Sequence, residues 1–334
     1  MTDGRIPHVV TIGGGHGQSA VLAALRMLDC RITAIIAVAD DGGCSGKLRE
    51  EIGMPPPGDL RRCLTALAAN EKLAARFDLR LQSEGIEGRS AGNLALAAEY
   101  HRHGSLQKAV DWAARMLRCR GRVVPVAETA AVLAVYDLER GVVEGETNVE
   151  RSVAAPLVAV VEGPTQTNPV ALDAVADADL LLIGPGSFYT STLSAVATAD
   201  MPRAIACTHA RRVLLSNLAP EGEQTRGFRD EDYVRVLRDH LTIGSMGESV
   251  SLEVLRHGDT DAEGRLADGT PFLQSPLAEP GTDRHDPALV ARALARHLGL
   301  VPHDARPSVV PSATLEEYES AFEQSLEEGK SLIR

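Results

Sequence analysis

Three glycine-rich stretches carry residue types that handle phosphate, ribose or metal. The first is Gly13-Gly14-Gly15-His16-Gly17-Gln18-Ser19-Ala20, which from Gly15 onward has the spacing G-x-G-x-x-A. Its glycines allow close backbone approach, and a helix start offers N–H groups and positive dipole to an anion. No lysine follows the last glycine, so it is not the lysine-bearing P-loop. The second, Ile183-Gly184-Pro185-Gly186-Ser187-Phe188-Tyr189-Thr190-Ser191, repeats the logic with hydroxyls at the helix start. One loop for each phosphate of a diphosphate is the natural reading. The candidate phosphate-binding residues are therefore Gly13, Gly14, Gly15, Gly17, Gly184, Gly186, Ser187, Tyr189 and Thr190. The third stretch is Asp40-Asp41-Gly42-Gly43-Cys44-Ser45-Gly46, read as a ligand loop and not a helix. Its carboxylates suit ribose hydroxyls or a hydrated Mg²⁺. Asp40, Asp41, Gly43, Ser45 and Gly46 are its candidates; two solvated loop acids are the plain alternative.

Gly53-Met54-Pro55-Pro56-Pro57-Gly58-Asp59-Leu60-Arg61-Arg62 is the most unusual run. Three prolines fix the backbone ahead of Asp59, which is placed to N-cap the next helix. Either Asp59 only caps, or a rigid loop presents its carboxylate to a substrate hydroxyl or metal. Arg61 and Arg62 share that first turn and suit phosphate. Asn93 opens a later helix, where it either donates to a ligand or stabilises the turn. The histidines form no metal-binding pair, and no Ser-His-Asp or Cys-His order can be assembled.

These residues need strands and helices to hold them. His8–Ile12, a helix over Ser19–Leu28 and a strand over Arg31–Val38 make a βαβ unit with a right-handed crossover. Helices over Asp59–Ala69, Glu71–Gln82, Gly92–His101 and Leu106–Cys119 follow, then a strand over Arg122–Ala127. Val132–Tyr136 and Val142–Glu146 form a hairpin around Arg140-Gly141. Strands are expected at Leu157–Val161, Asp179–Ile183, Ala204–Thr208, Val213–Asn217 and Val250–Leu255. Helices are expected from the Asn168-Pro169 cap to Ala176, over Ser187–Ala199, over Asp230–His240 and over Pro287–Leu298. Gly258–Gly281 reads as loop.

The fold class is α/β: a Rossmann-like, mainly parallel sheet flanked by helices, with a helical insertion and an acidic C-terminal helix. Residues 1–257 form the ligand-binding domain, with the insertion at about 59–119. Residues 258–334 are loop-rich, with helices at 287–298 and 314–329 packed on the same domain. The last helix starts at the capping box Thr314-Leu315-Glu316-Glu317 and carries an apolar stripe of Leu315, Tyr318, Phe322 and Leu326. That stripe either packs on its own domain or meets a partner protein.

Composition bounds the function. Of 334 residues, 34 are Lys or Arg and 46 are Asp or Glu, a formal net charge of −12, which argues against nucleic acid as partner. Hydrophobic content of 44% with 24% charged residues is that of a globular chain with a full core. Five cysteines without C-x-x-C spacing point to reduced thiols and a cytoplasmic protein. Leu180–Ala199 is uncharged, but Gly184-Pro185-Gly186 interrupts it, so no membrane insertion is expected.

Taken together, Gly13–Gly17, Val38–Gly46, Gly53–Asp59, Gly184–Ser191 and Gly222–Phe228 resemble the YvcK, or gluconeogenesis factor, family, from about Val9 to His257. The resemblance implies a Rossmann-like fold shared with 2-phospho-L-lactate transferases of the CofD type. It implies a cytoplasmic protein that binds a UDP-sugar, UDP-N-acetylglucosamine in the family, and affects cell shape and growth on gluconeogenic carbon. A homo-oligomer is expected, and the family has no established catalytic activity. The alternative is a Mg²⁺-dependent transferase moving a phospholactyl-type group to a deazaflavin, with Asp59 near the acceptor. An NAD-dependent dehydrogenase rests only on the G-x-G-x-x-A match and lacks a hydride-transfer site. His16 stands where the family has Thr, and Cys44 where it has Ser; the backbone cradle survives both changes.

Overall fold

The computed structural model describes residues 5–39, 43–83, 85–137, 140–151, 158–162, 166–222, 224–244, 247, 250–303 and 312–333. The chain opens with β1 (His8–Gly13), α1 (Gly15–Leu25) and β2 (Arg31–Ile36). All six residues of β1 are buried, as a strand covered on both faces requires. Five helices follow: α2 (Gly43–Ile52), α3 (Gly58–Leu67), α4 (Glu71–Asp78), α5 (Ala91–His103) and α6 (Leu106–Leu117). They lead to β3 (Arg122–Pro125), then to β4 (Val132–Asp137), β5 (Gly141–Glu144), α7 (Glu146–Glu150) and β6 (Val158–Glu162). Alternation resumes with α8 (Pro169–Ala176) and β7 (Leu180–Ile183). A π-helical turn (Phe188–Leu193) runs into α9 (Ser194–Val196), before α10 (Met201–Cys207) and β8 (Arg211–Leu215). The chain continues through α11 (Asp230–Gly244), β9 (Glu253–His257), β10 (Ala262–Arg265), β11 (Pro271–Ser275), α12 (Pro287–Leu298) and α13 (Ser312–Leu332).

The main sheet has eight strands in the order β10-β11-β9-β8-β7-β1-β2-β3. Every pairing is parallel except β10 with β11. The chain builds outward from β1 through β2 to β3, then returns to β7 on the other side of β1 and builds outward again. The strand order therefore reverses between β1 and β7, which opens a crevice at their C-terminal ends. β4, β5 and β6 form a separate antiparallel sheet.

Several expectations need correction. Residues 43–52 are helical, not a ligand loop. Leu48 is buried and Ile52 packs on the core one turn on, so an apolar edge draws the glycine-rich stretch into a helix. Ala204–Thr208 is not a strand but most of α10, with Pro202 in the first turn and Met201 and Ile205 buried four apart. A short apolar run cannot separate the two states by periodicity. Gly258–Gly281 contains β10 and β11, joined by a turn in which Leu266 N–H donates to the Thr270 carbonyl oxygen (2.8 Å). The strand expected at Leu157–Val161 is β6, which pairs with β4 in the small sheet. The last helix begins at Ser312, two residues before the expected cap at Thr314.

α13 lies on α5. Phe322 stacks on Phe77 with ring centroids 4.7 Å apart, and Ser325 Oγ donates to the buried Glu99 carboxylate (2.6 Å). Lys72 pairs with Glu319 (2.8 Å) at the helix edge, and Arg76 pairs with Glu323.

Candidate functional site

β1 and β7 are adjacent and each ends in a glycine turn, so the two turns meet. Gly184 N–H donates to the Ile12 carbonyl oxygen (2.9 Å), tying the strand ends together. A Cβ on Gly17 would lie 2.9 Å from the Pro185 carbonyl, and one on Gly186 would lie 2.7 Å from the Gly14 oxygen. Glycine at these two places is demanded by the contact of one turn with the other. Gly15 is different. Its φ of +71° requires glycine for backbone reasons, and the nearest atom to a Cβ there is Ser191 Oγ at 3.8 Å.

The turns open on a cleft of about 530 Å³. Gly15, Gly17, Gly186, Ser187, Asp59, Arg61 and Asn93 all line it, so the structure brings together seven of the residues singled out from sequence. Arg62, Arg80, His16, Glu146, Glu150 and Glu221 complete most of the wall. Tyr189 is fully buried, and Thr190 Oγ1 donates to Ser187 Oγ (2.6 Å), so both support the turn from behind. Gly13 and Gly184, with φ of +155° and +74°, shape the strand exits. Asp40 and Asp41 lie outside the described residues, and Gly43, Ser45 and Gly46 fall in the first turn of α2.

Asp59 is not an N-cap. The cap position is Pro57, and Asp59 sits inside the first turn of α3. Its Oδ2 accepts from Gly15 N–H (2.7 Å) and its Oδ1 from Arg62 (2.6 Å). One carboxylate thus joins the head of α1 to α3. The second turn is also engaged by side chains. Gly186 N–H donates to Asn217 Oδ1 (3.1 Å), and Asn217 Nδ2 donates back to the Gly186 oxygen (2.9 Å). Phe188 N–H donates to Glu221 Oε2 (3.0 Å). Burial pushes the Glu221 carboxyl above its ordinary value, against the pull of that bond.

The remaining wall carries both charges, Arg61, Arg62 and Arg80 beside Glu146 and Glu150. Arg61 is buried, donates through Nε to Asn93 Oδ1 (3.1 Å) and pairs with Asp78. Asn93 N–H donates to the N-cap hydroxyl of Ser90 (3.4 Å), so Ser90 fixes the turn that presents Asn93. The imidazole of His16 is held below its ordinary pKa, first by burial and then by Arg62. Asn217 and Glu221 were not foreseen. The signal for Asn217 was its place just past a buried strand, at the C-terminal edge where open α/β sheets carry their sites. Nothing local marks Arg80.

A second cavity of about 490 Å³ lies at the opposite edge of the sheet, beside His8, Arg31 and Arg122. Its arginines have structural work: Arg31 pairs with Asp177, Arg122 with Asp111 (3.7 Å), and Arg120 donates to the Leu28 oxygen (2.8 Å). Among the described residues no helix is long and apolar enough to cross a membrane.

Known proteins agree with this architecture. The profile of the 2-phospho-L-lactate transferase CofD family matches residues 9–266. A relative from Thermotoga maritima is 38% identical over 235 residues, which is 70% of this chain and 75% of that protein. A protein of Halalkalibacterium halodurans described as gluconeogenesis factor is 31% identical over 297 residues, 88% of this chain and 87% of its own. A crystal structure of a UPF0052 family member from Bacillus halodurans superposes with a TM-score of 0.79 at 28% identity, covering 87% of this chain and 99% of that one. With the switch-point cleft and the interlocked glycine turns, these matches show that the chain belongs to the gluconeogenesis factor (YvcK, UPF0052) family, built on a CofD-type domain.

Proposed function

We propose that this protein binds a nucleoside diphosphate sugar, a UDP-sugar such as UDP-N-acetylglucosamine, in the switch-point cleft. The observation that carries the reading is the head of α1: a glycine turn at the end of a central parallel strand, opening on a cleft walled by three arginines. The first amides of a helix lack partners within it; Asp59 takes Gly15 N–H, so His16 and Gly17 offer N–H groups and positive dipole to a diphosphate, with Arg62 alongside. Asn93, Glu146 and Glu150 suit sugar or ribose hydroxyls. The Gly186–Ser187 turn contributes shape and the Ser187 hydroxyl more than free amides, because Asn217 and Glu221 take Gly186 and Phe188 N–H.

On this reading the protein is a ligand-binding regulator of growth on gluconeogenic carbon and of cell shape, with no turnover of the sugar nucleotide. The description of its relatives as gluconeogenesis factors supports the first part. UDP-N-acetylglucosamine should raise the melting temperature, since a ligand that binds only the native state stabilises it. Gly15→Val places a β-branched side chain at φ +71° in the cleft mouth and should abolish that shift. An unchanged shift in a folded Gly15→Val variant would remove α1 from the site.

A further inference from the structure

The cleft continues past Arg62. A second lobe of about 490 Å³ opens between α1, α3 and α4, and His16, Arg61, Arg62 and Arg80 line both lobes. Ala66, Ala74 and Ala75 line it with small side chains that leave space between the helices. The two lobes differ in charge. The first carries Asp59, Glu146, Glu150 and Glu221, whereas the second faces three arginines with Asp78 as its lining carboxylate among the described residues. Arg61 pairs with Asp78 and Arg62 with Asp59 (2.6 Å). Arg80 instead donates to a neutral group, the Gly88 carbonyl oxygen (2.8 Å), which leaves its charge unbalanced by that bond.

We propose that the ligand crosses this ridge of basic residues and that the second lobe takes a carboxylate carried on its sugar. Among nucleoside diphosphate sugars, the second lobe then favours one whose sugar carries a carboxylate over its neutral counterpart. The inference rests on the nucleotide-sugar reading of the first lobe and goes beyond it. A carboxylate meets a guanidinium through paired, charge-assisted hydrogen bonds, which a neutral hydroxymethyl group cannot match. The diphosphate would lie at the ridge beside the His16 and Gly17 amides, with the acidic end of the sugar beyond it.

Calorimetric titration of the full chain with UDP-glucose and UDP-glucuronate tests this, since the two differ only by hydroxymethyl against carboxylate. UDP-glucuronate should bind roughly tenfold tighter. The ratio should fall toward one in Arg80→Gln and in Ala75→Leu, which adds bulk to the lining of the second lobe. Arg80 is exposed, so Arg80→Gln decides the matter if Ala75→Leu does not fold. Equal affinities in the unaltered protein, or a preference that survives Arg80→Gln, would overturn the second lobe and leave the first intact. Failure of both sugars and of UDP to bind would instead overturn the nucleotide reading, and this inference with it.

Discussion

Asp59 is the residue whose role changes most between sequence and structure. Three prolines point to a rigid approach to a helix, and the rigidity is there: Pro55, Pro56 and Pro57 are all buried. The carboxylate does not cap its own helix but reaches across to the first amide of α1, with Arg62 as its second partner. Sequence alone could not show this, because the partner is 44 positions away. The consequence is a competition. A diphosphate at the head of α1 meets a negative group that already takes Gly15 N–H and offsets the charge of Arg62. Asp59→Asn keeps an oxygen to accept from Gly15 and removes the charge. In metal-free buffer it should bind UDP-N-acetylglucosamine more tightly, by roughly fivefold, the equivalent of about 1 kcal/mol. Titration of the two proteins side by side measures it. Weaker binding by the Asn variant would mean that the carboxylate itself contacts the ligand.

Among the elements, the helices with a clear apolar stripe and a cap were legible. Asn168 caps α8 through Val170 N–H (3.0 Å) with Pro169 behind it, as its residue types require. α12 spans Pro287–Leu298, the range its pattern marks, with Asp286 as its cap. α2 and α10 were misread because glycine content and a short β-branched run outweighed side chains that only the folded core reveals. The strands β10 and β11 were hidden for a different reason. Ala262–Arg265 has little apolar content, and only the Asp268-Gly269 pair hints at the turn. The acidic helix α13 was visible, but its docking was not. Phe322 and Leu326 of its apolar stripe are buried, Phe322 against Phe77 of α4, and Gly329 sits against the backbone of Leu94 in α5, next to the cleft residue Asn93. A Cβ on Gly329 would fall 2.1 Å from the Leu94 oxygen. On an exposed helix Gly→Ala stabilises by up to about 1 kcal/mol. Here Gly329→Ala should destabilise by roughly 1–3 kcal/mol, because backbone must move to admit the methyl group. Urea unfolding gives the sign directly, and a gain in stability would contradict this packing of α13 on α5.

At the scale of the whole molecule, β1, α1 and β2 announce a βαβ unit, and Leu180–Ile183 with its glycine turn announces another. What sequence could not supply was the order of strands. β1 and β7 are far apart in the chain, yet they pair residue for residue from Val9 with Leu180 to Ile12 with Ile183. That pairing makes two separate glycine turns into one cleft and turns a weak local motif into a candidate site. It also explains why Arg80, Glu146 and Glu221 cannot be read as wall residues from sequence: they come from three different segments and meet only at this cleft. The most direct measurement is a crystal structure of the protein grown with UDP-N-acetylglucosamine. The diphosphate should lie within hydrogen-bond distance of the His16 and Gly17 amides and of Arg62. A nucleotide seated instead in the cavity beside His8 and Arg31, with the head of α1 untouched, would contradict it.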